Sequence, residues 1–305
     1  MMIKKNQNVF NAAGTMFNTP FNLKWKNDLN IFGNSKFIIK FNEINIAIKN
    51  NLRKKILKNN FQHEGSQTLN FIGSEIKTNY KFSNKLLSFQ SEDSKVNNKP
   101  VLLYGTINFR PFFFDIHVDL KNADLFKLFN PKFLINDLMN SNIYLHNNFN
   151  GKLSININKI TRNKIFDFAK FNINFKNGKL IFDKTELISK KFGTLQLYDS
   201  QLIELDKKNV LKTNAILNID DQRNFYQRFQ ISKNLRKPID KIYLEIEKDL
   251  NSEDLKIYKF NISFQDKNYS TQNVETYLKN INYEVNIDNI YDLNKFFKEI
   301  FKQIS

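Results

Sequence analysis

A chain of 305 residues with 41% hydrophobic side chains can bury a sizeable core, and it is long enough for one large or two ordinary domains. The absence of cysteine excludes a disulfide framework, a thiolate metal site and a cysteine nucleophile. The formal net charge is +17, yet Lys far outnumbers Arg and Asn supplies roughly one residue in six, so the charge follows a Lys-, Asn-, Ile- and Phe-rich composition of the kind AT-rich codons produce and reads first as solvated surface, with attraction to a polyanion or an anionic lipid as the alternative.

The opening MMIKKNQNVFNAAG has no apolar run long enough for a signal peptide, and no stretch approaches the ~18 apolar residues of a membrane-spanning helix. FNLKW then reads as a strand already in mid-sheet, with Phe21, Leu23 and Trp25 on one face, which points to a start further upstream. Phe37, Ile39 and Phe41 alternate, and Ile44, Ile46 and Ile48 resume the alternation after a phase slip. Residues 50–67 are basic and polar without a period and read as a loop, and 91–100 form a second weak zone. PFFFDIHVDL is the clearest strand: Phe112, Phe114, Ile116, Val118 and Leu120 share one face, with Phe113, Asp115, His117 and Asp119 on the other.

Further along, 122–129 and 131–138 read as short helices, the second opened by Pro131. Strands follow at 153–157, 165–175, 178–182, 193–198, 202–205, 241–247, 255–264 and 281–287, with a helical stretch at 220–231. The last segment, 292–303, places Leu293, Phe296, Phe297, Ile300 and Phe301 at steps of three and four, the pattern of an amphipathic helix. The fold class is therefore mainly β: a long curved antiparallel sheet, an open trough or sandwich-like, with a few short helices and a C-terminal amphipathic helix. One cadence recurs, glycine followed by alternating apolar residues, in NGKLSI (150–155), NGKLIF (177–182), GTINF (105–109) and GTLQL (193–197). It reads as a strand-starting phrase, because Asn-Gly tolerates positive φ at a hairpin.

Chemistry is sparse. Asp115, His117 and Asp119 share a strand face, but neighbours two apart lie ~6.5–7 Å from each other, too far to converge on a metal without strong twist, and the polar side of an amphipathic strand accounts for them. His63 and His146 have no second histidine at ligand spacing and read as loop or surface residues. Asp220 and Asp221 stand at a helix start, where they cap. The chain has no GxSxG, HExxH or phosphate-cradling glycine loop, so no catalytic residue, metal or cofactor is expected. What remains is Phe on strand faces, serving either a closed sandwich core or an open trough for an acyl chain, and the pattern alone leaves both open. A basic nucleic-acid binder would interleave Lys or Arg with aromatics on one platform, whereas here Phe mostly alternates away from Lys.

From Lys99 onward the order of phrases resembles the C-terminal region of AsmA-like proteins of Gram-negative envelopes, relatives of TamB and of chorein-type lipid-transfer proteins. The phrases are GTINFRPFFFDIHVDLKNADLFKLF, FNGKLSININKI, FKNGKLIFDKTELISKKFGTLQLYDSQLIELD, DDQRNFYQRFQI and KPIDKIYLEIE. The resemblance covers about two thirds of the chain and divides it into a 1–98 segment continuing a trough and a 99–305 AsmA-like region. It implies a non-enzymatic protein of the periplasm, anchored in the inner membrane in its full-length form, that handles phospholipid or another acyl-chain lipid in outer-membrane assembly. Envelope membrane proteins are then possible partners and nucleic acid is not. Within that picture strand parity nominates a groove lining of Phe112, Phe114, Ile116, Val118, Phe171, Ile173, Phe175, Leu195, Leu197, Leu244 and Ile246. Phe296, Phe297 and Phe301 on the terminal helix are expected to contact either the sheet, as a lid, or a membrane.

Overall fold

The computed structural model describes residues 2–4, 7–16, 18–28, 34–57, 60–71, 74–96, 98–124, 146–161, 165–205, 208–249, 255–265, 267–268, 274, 276–278 and 290–304. The expected helices at 122–129 and 131–138 fall largely outside these residues, and the strand expected at 281–287 does so entirely. The chain is mainly β and divides into two compact units: Met1–Asn122 with 127–156 and 175–178, and 123–126 with 157–174 and 179–305.

The first unit is an antiparallel meander of β1 (Met2–Lys4), β2 (Gln7–Met16), β3 (Thr19–Asp28), β4 (Asn34–Phe41), β5 (Ile46–Leu57), β6 (Asn60–Phe71), β7 (Ser74–Ser83), β8 (Leu86–Ser91), β9 (Ser94–Val96), β10 (Lys99–Phe109) and β11 (Phe112–Leu120). Each strand pairs with the next through β8, after which β10 pairs with both β8 and β9 and then with β11. β12 (Gly151–Ile157) follows. Among the described residues this unit is strand and turn throughout.

Its turns explain much of the Asn enrichment. Asn18, Asn45, Asn84 and Asn98 each stand between consecutive strands with positive φ, a conformation costly for most side chains and least so for Asn and Gly. The phase slip after Phe41 is one of these turns, closed by Asn45. At the expected 98/99 boundary, Asn98 stands in the turn between β9 and β10, whose residues pair with each other. The loop expected at 50–67 is also corrected, since it is most of a long hairpin of β5 and β6. Lys and Asn hide the alternation there, but the backbone ladder needs no apolar side chains when both neighbours are in place.

Residues 91–96 are a single strand path broken by a bulge. Thr78 pairs with Ser91 and Glu75 with Lys95, so one extra residue is inserted, and Asp93 takes positive φ. The side chains flanking the bulge satisfy the backbone it frees. Ser91 Oγ accepts from Leu103 N at 2.7 Å, and Ser94 Oγ accepts from Lys77 N at 2.9 Å and donates to Lys77 O.

The second unit repeats that device. β13 (Phe168–Lys176), which begins in this unit, and β14 (Lys179–Ile181) are joined by Asn177-Gly178, both at positive φ, the hairpin turn anticipated from the NG phrase. β15 (Glu186–Ser189), β16 (Gly193–Leu205) and β17 (Lys208–Ile219) continue the ladder. The two strands expected at 193–198 and 202–205 are one, β16, carrying a bulge at Asp199 and Ser200. Ser200 Oγ accepts from Phe182 N at 2.9 Å and donates to Asp183 Oδ1.

The ladder closes with β18 (Lys241–Asp249), β19 (Leu255–Phe264) and β20 (Lys267–Asn268). Two helices cover its apolar face: α1 (Gln222–Arg228), capped by Asp221 whose carboxylate accepts from Asn224 N at 3.0 Å, and α2 (Ile290–Gln303). The core between sheet and helices is aromatic. Phe297 lies 4.4 Å from Phe229 and 5.5 Å from Phe225 between ring centroids, Phe296 5.9 Å from Phe260, and Phe301 5.7 Å from Tyr226. Lys237 Nζ donates to Ile304 O at 3.2 Å, placing a cation on the carbonyl end of α2.

Candidate functional site

The register of the first unit sorts its side chains into two faces. One face carries Phe21, Leu23 and Trp25 on β3, Phe37 and Ile39 on β4, Ile48 and Leu52 on β5, and the odd-numbered apolar residues of β10 opposite the even-numbered ones of β11. It is only partly covered. Phe41, Ile76, Val101, Phe114 and Leu120 are buried, whereas Leu103, Ile107, Phe112, Ile116 and Val118 are half-buried and Trp25 and Phe109 are 40% and 46% exposed.

Two close approaches hold this face together. Phe114 lies across Gly151, where an added Cβ would come within 2.4 Å of the ring, and packs against Phe149 and Phe175 at 5.1 and 5.2 Å. Gly151 therefore opens β12 because an aromatic ring occupies its side-chain space, not because the turn demands it. The two NGK phrases also meet: Asn150 Oδ1 accepts from Asn177 N at 2.9 Å. On the other side, Tyr80 faces Gly65 across the β6–β7 pair and donates from its hydroxyl to Asn50 Oδ1 at 2.6 Å. Burial pushes the Tyr80 phenol above its ordinary value, opposed by that hydrogen bond. Asn50, Gln67, Thr78 and Ser91 are consecutive partners across β5 to β8, forming a polar row within the apolar face. Sequence reading missed it because the loop assignment concealed β5 and β6.

The nominated lining separates into two sets. Phe112, Phe114, Ile116 and Val118 share the apolar face of the first unit, and Phe175 joins Phe114 there together with Phe149, which parity did not nominate because it precedes the strand. Phe171 and Ile173 belong to the second unit and are buried. Leu195 and Leu244 pack against the closed helix-covered core of that unit, and Leu197 and Ile246 share their face, half-buried. Phe296, Phe297 and Phe301 are 2%, 6% and 1% exposed: Phe296 packs on Phe260 of β19 and Phe297 and Phe301 on the aromatic residues of α1, while Tyr291 and Lys295 are exposed.

The opposite face of the first unit is basic. In four registered rows it carries Lys40 and Lys95, then Lys24, Lys49 and Lys77, then Lys26 and Lys36, then Arg53 and Lys81, all exposed. Among the described side chains the acidic residues of these rows are Glu75 and Glu64, and Asp93 in the bulge beside β9 also acts on Lys77. Glu75 sits 2.8 Å from Lys77, whose hydrogen bond and charge hold its carboxyl below the ordinary value and raise the Lys77 ammonium in return. A groove of about 1100 Å³ crosses β3 to β8 here, walled by Lys26, Lys36, Arg53 and Lys81.

Asp115, His117 and Asp119 do not converge. Asp115 Oδ1 is 3.2 Å from His117 Nε2, His117 stacks on Tyr104 at 5.0 Å, and Asp119 accepts from Asn156 Nδ2 at 2.7 Å. Among the described residues no cluster of His, Asp or Glu could hold a metal. His63 is corrected from a loop residue to one on β6, on the apolar face, its ring 6.3 Å from Phe82. His146 Nδ1 accepts from Asn148 N. Among the described residues no helix is long and apolar enough to cross a membrane. No family model, curated protein or solved structure matches the chain.

Proposed function

We propose that this chain is a non-enzymatic lipid-handling protein whose first unit accepts the acyl chain of a phospholipid on its apolar sheet face. The observation that carries the reading is the half-open state of that face: Leu103, Ile107, Phe112, Ile116 and Val118 form a continuous apolar surface with room for further contact. Each methylene buried there contributes about 0.8 kcal/mol, so about ten supply roughly 8 kcal/mol, from which the cost of association is subtracted. The second unit, with its closed core, serves as scaffold in this reading. The resemblance to AsmA-like proteins supplies the setting, a periplasmic protein anchored at the inner membrane and acting in outer-membrane assembly. Nucleic acid is a poorer ligand, because the basic face from β3 to β9 bears no aromatic side chain among its described residues on which bases would stack.

The test is loading of the purified chain with a fluorescent phospholipid, followed by Ile107→Gln and Val118→Gln, two half-buried positions where a neutral polar group is tolerated. Binding at least tenfold weaker in the variants at an unchanged melting temperature is expected. A wild-type chain that takes up no phospholipid overturns the proposal.

A further inference from the structure

We infer that the basic face of the first unit is a docking surface for an anionic membrane. Among the described side chains, nine cations and two carboxylates stand in its rows between β3 and β9, with Asp93 of the bulge a third acid acting on Lys77, where the register alone would allow either sign. Composition does not explain the imbalance, since the same chain builds the outward face of the second unit with charges in pairs: Lys170 with Glu186 at 3.6 Å, Lys212 with Glu247 at 3.5 Å and Lys259 with Glu245 at 2.9 Å. Codon drift would act on both units alike. The solvated-surface reading of the charge therefore holds for the second unit and fails for the first.

The array spans β3 to β9 in four rows two residues apart, about 20 Å along the strands, and the chemistry of its side chains selects the occupant. The cations are almost all lysines, point charges suited to diffuse attraction by lipid headgroups rather than the bidentate forks that read a nucleic-acid backbone. Each basic residue near an anionic leaflet strengthens binding by roughly fivefold, and the attraction decays within a Debye length. This surface is independent of acyl-chain loading, because it lies on the opposite side of the sheet.

The experiment is co-sedimentation of the full chain with vesicles of phosphatidylcholine, and of phosphatidylcholine doped with phosphatidylglycerol, at low salt and at about 1 M salt, where the Debye length is about 3 Å. Binding to the doped vesicles alone, lost at high salt, is expected. Combined Lys24→Gln, Lys36→Gln, Lys49→Gln and Arg53→Gln should weaken it roughly 600-fold, while Lys295→Gln with Lys298→Gln on α2 should leave it unchanged. Equal binding to both vesicle types, no binding to either, or indifference to the four substitutions overturns the inference. Capture of a single-stranded oligonucleotide in place of vesicles overturns it in favour of a nucleic-acid surface. A chain that binds doped vesicles yet loads no fluorescent phospholipid keeps this inference and removes the proposed function.

Discussion

The two units are built from the same strand alternation and finish it differently. In the second, α1 and α2 carry Phe225, Phe229, Phe296, Phe297 and Phe301 into the core, and every one of these rings is buried. In the first, the equivalent face ends with Ile107, Phe112, Ile116 and Val118 half-buried, and the charges behind it are unbalanced where those of the second unit are paired. Alternation alone thus specifies a greasy face but not whether protein covers it. Among the described residues, the difference is the pair of amphipathic helices that the second unit places on its face.

The contrast is most sharply broken at the helix-covered core. Phe225→Ala and Phe301→Ala each remove a ring from a packed aromatic core and should cost about 3–5 kcal/mol, whereas Phe112→Ala, on the half-open face, should cost less than about 1.5 kcal/mol. Denaturant titration of the three variants checks this, and equal costs would mean that the two faces are covered alike. Deleting 290–305 should exceed any single substitution in the second unit.

A smaller effect is expected where glycine yields its side-chain space to a ring. At Gly151→Val the new methyl groups meet Phe114, and at Gly65→Val they meet Tyr80 and the Asn51 carbonyl. Each should cost about 1–3 kcal/mol, read as a lowered melting temperature. The paired bulges sharpen the comparison further. Ser94→Ala and Ser200→Ala leave the part-buried amide of Lys77 and the buried amide of Phe182 without their acceptor, so losses of about 1–2 kcal/mol are expected, the larger at Ser200.

The smallest predicted effect is one of pH. Because burial raises the Tyr80 phenol above its unfolded value, the neutral form is favoured in the native state. That stability is fully present below the unfolded tyrosine pKa, near 10, and is lost as pH rises through the higher folded value. Tyr80→Phe should cost about 1–2 kcal/mol at neutral pH by stranding Asn50 Oδ1, and it should flatten the alkaline limb of the stability profile. An unchanged limb would assign alkaline unfolding to other groups.

Strands with apolar alternation were legible from sequence: β3, β10, β11, β18 and β19 stand where period two puts them, and α2 where steps of three and four do. The Asp221 cap was legible too. β5 and β6 were not, because residues such as Lys49, Asn50, Asn51 and Arg53 take their strand conformation from neighbouring ladders rather than from a buried face. The bulges at Asp93 and Asp199 resemble turns in one dimension, since an αL residue interrupts the alternation in either case. The parity argument for the candidate lining worked within β11 and failed across the chain, as covering helices act on Leu195 and Leu244 and not on Ile116 and Val118. The basic face was invisible as a cluster because its nine cations come from five separate strands.

The central claim, an open apolar face in one unit and a closed one in the other, is tested most directly by photo-crosslinking. A benzophenone side chain is placed in turn at Ile107, Val118 and Leu244, and the chain is irradiated with radiolabelled phospholipid vesicles. Label is predicted at positions 107 and 118 and not at 244, which packs against the helix-covered core. Label at 244 equal to that at 107, or none at 107 and 118, would contradict the account.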